Sequence, residues 1–199
     1  MKKSIIATGA ASLALAAMPV VGAFANVTDT VQITIDPACS VGQTSSTSGG
    51  GKTITDTMTN SQLKSWEANG TAGGTIKVSC NDASGWNIKA VGSSTGDTKN
   101  VMVPNNNSST PIASGTATSG ATSNWAFKVA AHSGTTGVTI ADGYSNYAIV
   151  PTTAAKVASG SAAISEGQID TGYQVWISAT QQADTYTGSV TYTVSAGTN

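Results

Sequence analysis

The ten residues from Tyr186 to Ser195 set the strongest limit on what this chain can fold into. Tyr186, Val190, Tyr192 and Val194 alternate with Thr187, Thr191, Thr193 and Ser195. Apolar residues spaced by two put one face of an extended strand on a core and the other in water. A helix would need spacings of three and four. β-Branched Thr and Val favour the extended choice. Gly188 inside the run points to a bulge or a close neighbour.

The same period recurs along the chain. It marks strands over residues 31–35, 76–80, 86–90, 125–129, 138–140, 147–150 and 173–179. The turn residues 81–85 lie between two of them, which predicts a hairpin with its lysines outside. Helix signals are few. Leu63 and Trp66 are three apart, and Gly70 follows, which suggests one or two helical turns over 61–69. Residues 44–51, 92–100 and 105–120 are rich in Gly, Ser, Thr and Asn and read as long loops. The expectation is an all-β protein, an antiparallel sandwich of about seven or eight strands.

The first 25 residues read as an address. Lys2 and Lys3 precede a mostly apolar stretch over 5–21, and Ala23-Phe24-Ala25 ends it. That is the three-part pattern of a secretory signal peptide, with cleavage expected after Ala25. The mature chain, 26–199, is then one domain carrying seven Lys and ten acids, a net charge of −3 (7 − 10). No second apolar segment long enough to cross a membrane follows. The product is expected to be secreted or held on the cell surface, without membrane contact once the signal is removed.

Charge also narrows the function. The chain has nine Lys and no Arg among 199 residues. Arg is the preferred reader of phosphates and base edges, so nucleic acid is not an expected partner. There is one His, His132, and two Cys, Cys39 and Cys80. Those three are the whole supply of the commonest zinc ligands, so no metal site and no cofactor is expected. Export takes both thiols out of the reducing cytosol, which favours a disulfide. The competing readings are two free thiols, or a catalytic thiol that would depend on His132 as its base.

Three segments together carry a resemblance. Val31-Gln-Ile-Thr-Ile35 runs into Asp36-Pro-Ala-Cys39. Thr75-Ile-Lys-Val-Ser-Cys80 precedes Trp86-Asn-Ile88. Tyr186-Thr-Gly-Ser-Val190-Thr-Tyr192 closes the chain. The pattern resembles the bacterial pilin and spore-coat-U-like secreted domains. It is more weakly similar to WxL-type cell-surface domains, through Trp86-Asn-Ile88 and Trp176-Ile-Ser178. The resemblance covers about a third of the mature chain and leaves residues 92–169 unmatched. It implies an immunoglobulin-like sandwich, a Cys39–Cys80 bridge between the first two strands, and a structural or adhesive role without catalysis. With only residues 26–29 or so ahead of the first strand, a self-complete sandwich is expected rather than strand donation.

His132-Ser133 and Asp142 can be spelled into a triad, but with so many serines the spelling has no weight, and His132 reads as a solvated loop residue. Glu67 and Glu166 are the only glutamates and show no pairing suited to glycoside cleavage. Residues 142–146 read as a plain turn rather than a calcium loop. No catalytic residue is assigned. Trp176 points away from Val175 and Ile177, and Tyr144 and Tyr147 lie near a turn, so these three are the candidate ligand-binding aromatics. The expected function is an exported bacterial coat- or fimbria-like subunit, with a carbohydrate or cell-wall binding module as the alternative. Expected partners are other surface subunits, cell wall, or glycans of host or neighbouring cells.

Overall fold

The computed structural model describes residues 32–43, 54–67, 74–93, 100–106 and 108–197. The expected signal segment and the expected loop over 44–51 lie outside the described residues. The described residues hold twelve strands and no helix.

The larger sheet is built around a fourteen-residue strand, β10 (Ile164–Ile177). Beside it run β3 (Gly74–Cys80) and β7 (Asn124–Ala131), with β1 (Cys39–Gln43) outside β3 and β6 (Ala113–Ser114) outside β7. β2 (Gln62–Trp66) pairs the C-terminal half of β10. Only β6 and β7 run parallel; the other pairs are antiparallel. The second sheet has the order β12 (Ser189–Ala196), β4 (Trp86–Ser93), β9 (Ala155–Gly160), β8 (Thr139–Ile140). A small ribbon pairs β5 (Val103–Pro104) with β11 (Tyr186–Thr187).

The two sheets enclose one apolar interior. Ile76 and Val78 of β3, Phe127 and Val129 of β7, and Ile169 and Val175 of β10 face Trp86 and Ile88 of β4 and Val157 of β9. Burying each such side chain contributes about 1.5–3 kcal/mol. Strand alternation therefore decides the layering, because a slip of one residue would turn this whole set outward. Cys39 and Cys80 are direct cross-strand partners and form a disulfide. The all-β sandwich and its bridge are thus as expected.

Several local expectations are corrected. Of residues 31–35, Val31 lies outside the described residues. Residues 32–35 form no strand, and Ile33 and Ile35 are 79% and 78% exposed. Alternation shows that a segment suits a strand, but a strand needs a partner edge, and this one has none among the described residues. Among the described residues the first strand starts at Cys39. Asp36–Asn199 forms one compact unit. Within it, the Asn81 side chain accepts from the Ala38 N–H at 2.6 Å and donates to the Asp36 carbonyl at 3.3 Å.

The expected hairpin over 76–90 is a corner instead. β3 belongs to the larger sheet and β4 to the smaller, and Gly85 at φ 98° turns the chain across. Both strands have inward apolar residues, which a hairpin and a corner share, so alternation cannot separate them. Within the expected helical turns over 61–69, Gln62–Trp66 form β2 instead, where register with β10 outweighs the weak three-residue spacing, and residues 68 and 69 lie outside the described residues. Residues 105–120 are not simply loop. Ile112 is fully buried, bridges Met102 and leads into β6. Residues 147–150 contribute only an isolated bridge, from Ala148 to Phe127.

Candidate functional site

The side of the larger sheet turned away from the core carries the chemistry. Along β10 the outward positions are Asp170, Gly172, Gln174 and Trp176, since Ile169, Val175 and Ile177 face inward. Register sets their neighbours: Thr75 opposite Asp170, Lys77 opposite Gln168, Lys128 opposite Gly172, Leu63 opposite Trp176.

At one end, Asp170 is only 1% exposed although it lies on the outward side. A buried carboxylate is costly unless it accepts hydrogen bonds. Thr75 Oγ1 donates to Asp170 Oδ1 at 2.7 Å. His132 Nδ1 lies 2.9 Å from both carboxylate oxygens. His132 sits just past β7, where its N–H donates to the Gln168 carbonyl at 3.2 Å. Its own carbonyl accepts from Thr135 N–H at 3.0 Å, closing a turn through Gly134 at φ 83°. The expected solvated loop histidine is thus tied to the sheet, with its side chain 39% exposed.

An open cleft of about 420 Å³ adjoins the pair, between residues 132–136 and 164–168. A bulge in β10 between Ile164 and Gly167 shapes one wall. A Cβ on Gly167 would come within 2.4 Å of Ile164 Cδ1 and 3.3 Å of Val78 Cγ1, so the Ile164 side chain would have to turn aside to admit one. Ser79 Oγ donates to the Ser165 carbonyl, and Lys77 Nζ pairs with Glu166 Oε1 at 2.7 Å. A carboxylate holding Nδ1–H of an imidazole leaves Nε2 as the free ring nitrogen. Such a nitrogen can accept a hydrogen bond or a proton.

At the other end, Trp176 is 9% exposed and packs with Ala117, Ala126 and Tyr147. Its Nε1 donates to the Gly120 carbonyl at 3.0 Å. Tyr147 donates to Glu67 Oε1 at 2.8 Å, and Lys128 pairs with Glu67 while lying 4.6 Å from the Tyr147 ring centre. Lys128 first, then Tyr147, holds the Glu67 carboxyl below the usual range. Burial and the Glu67 carboxylate push the Tyr147 hydroxyl up. Tyr144 goes elsewhere: its ring packs into the core, 5.5 Å from Phe127. Of the three expected aromatics, Trp176 and Tyr147 therefore meet, under the Gly120 segment, and Tyr144 does not join them. Among the described residues no group of three or more His, Cys, Asp or Glu side chains gathers.

Sequence reasoning missed the His132–Asp170 pair. The partners lie 38 residues apart and meet only through β7–β10 register. The one available signal was parity: Asp170 occupies the outward set of a strand whose inward set is apolar. Compared with known proteins, the chain matches no family model, no curated protein and no solved structure.

Proposed function

We propose that this chain is an exported bacterial surface protein with a structural or adhesive role, coat- or fimbria-like and without catalysis. The observation that carries this reading is the Cys39–Cys80 disulfide, which uses the only two cysteines of the chain to tie β1 to β3. Structural disulfides persist in oxidising compartments and are rare in the cytosol. The charged, apolar and small-residue order of residues 1–25 supports the same compartment. The Thr-rich outward side of β12, with Thr191, Thr193 and Ser195 away from Val190 and Tyr192, suits a hydrated surface layer.

The test is fractionation of the cells that make the protein. The expected product begins at Asn26, has no free thiol, and leaves intact cells on washing with salt or denaturant. Electron microscopy of the stripped material is expected to show ordered assemblies. A product kept inside the cell, with residues 1–25 intact and both thiols reduced, would end this reading. A second reading, a carbohydrate or cell-wall binding module, shares the surface location and draws on the His132 cleft rather than on the expected aromatics, because Trp176 packs beneath Gly120.

A further inference from the structure

We propose that the cleft beside His132 binds a neutral sugar ring through its hydroxyl groups. This inference rests on the surface-adhesive reading and names its ligand class.

Both Asp170 oxygens face Nδ1 at 2.9 Å, so Nδ1 carries the hydrogen and donates. When the ring is neutral, Nε2 bears a lone pair, and the 39% exposed side chain lines the cleft. That nitrogen calls for a ligand that donates, and a hydroxyl does so.

The rest of the lining agrees. Ser133, Thr135, Thr136 and Ser165 bring hydroxyls and Gln168 brings an amide, groups that both donate and accept. Ile164 is the one aliphatic side chain of size on the wall. Lys77, in register with Gln168, is paired with Glu166 at 2.7 Å. A phosphate or carboxylate would find no unpaired lysine among the lining residues, and a large apolar ligand would find little to cover. A cleft of about 420 Å³ is at the small end of ligand sites and takes one ring.

Rigidity completes the case. Binding is stronger when the recognising groups do not have to be ordered first. Here the buried Asp170, held by Thr75, fixes the imidazole, and the β10 bulge at Gly167 shapes the opposite wall.

The experiment uses the fact that His132 is the only histidine. Its imidazole proton resonances are therefore assigned without mutagenesis. The mature protein is titrated at about pH 8, where imidazoles are generally neutral. The probes are the methyl glycosides of glucose, galactose and mannose, and of N-acetylglucosamine, each to about 20 mM, a range that reports millimolar affinity. The first three stand for neutral hexose glycans and the fourth for cell-wall sugar. At least one is expected to shift the His132 resonances saturably, and Gln168→Ala is expected to weaken that binding about tenfold or more. Gln168 is half-buried at the cleft wall, so an unchanged melting curve is expected for this variant. If it does not fold, the exposed Thr136→Ala replaces it. Silent His132 resonances with all four glycosides would overturn the proposal. Equal binding by the wild type and the folded variant would do so too. A protein that is surface-held yet silent here leaves the surface reading standing and removes this one.

Discussion

Asp170 is a carboxylate that water scarcely reaches, placed on the side of the sheet opposite the core. Its burial is sustained by Thr75 Oγ1 at 2.7 Å and by His132 Nδ1. Asp170→Asn keeps the shape and removes the charge. One amide oxygen can still accept from Thr75, but the amide NH2 then faces the Nδ1–H of His132, donor against donor. The imidazole must move its hydrogen to Nε2 or share the single amide oxygen with Thr75. Relief of desolvation favours the amide, while the loss of hydrogen bonds to a charged acceptor costs about 2 kcal/mol. With two donors already aimed at the carboxylate, the loss is expected to win. Urea unfolding of the variant should show a stability decrease of about that size. Imidazole nitrogen NMR should show Nδ1 protonated in the wild type and not in the variant. Equal stability together with an unchanged tautomer would mean that the pair does not hold this histidine.

Between β11 and β12 the chain changes sheets at a single residue. Tyr186 and Thr187 pair with β5, and from Ser189 the chain pairs with β4. Gly188 lies between, and a Cβ there would meet Met102 Cγ at 2.9 Å and the Trp125 ring at 3.2 Å. Both neighbours belong to the packed interior, so neither can withdraw freely. Gly188→Ala should therefore destabilise by about 1–3 kcal/mol, read as a lower thermal midpoint. An unchanged midpoint would show that this junction has slack. The period of two around Gly188 exposed both the strand and the tight spot in advance. It also marked the core positions Ile76, Val78, Trp86, Ile88, Phe127 and Val175, because each lies in a run long enough to show a period. Two-residue strands such as β6 and β8 have no period to read, and β2 was obscured by the three-residue spacing of Leu63 and Trp66. The corner between β3 and β4 was hidden for another reason: the inward faces of a hairpin and of two facing sheets have the same alternation. The candidate site was the least legible part. His132 and Asp170 carry no local signature, and only pairing across β7 and β10 brings them together.

At the scale of the molecule, one contact joins the two sheets through polar groups inside the sandwich. Tyr173 of β10 and Tyr192 of β12 meet hydroxyl to hydroxyl at 3.1 Å. Burial raises the Tyr173 hydroxyl above its ordinary value of 10.0 and raises Tyr192 well above it, with Tyr173 adding to the second shift. The unfolded chain releases both protons near the ordinary value, while the folded chain retains them. Stability from this pair is therefore complete below about pH 10 and is lost as pH rises beyond it. While the folded state still holds both protons, two sites contribute about 3 kcal/mol per pH unit to that decline. Tyr192→Phe removes one ionising group from the unfolded state. Its stability near neutrality should fall by about 1 kcal/mol for the lost hydrogen bond. Above pH 10 its decline should be shallower than that of the wild type by about 1.4 kcal/mol per pH unit. The two curves of unfolding free energy against pH are thus expected to converge with rising alkali. Parallel curves would place the ionisation of Tyr192 outside the folding equilibrium, and the two layers would then not be joined through this pair.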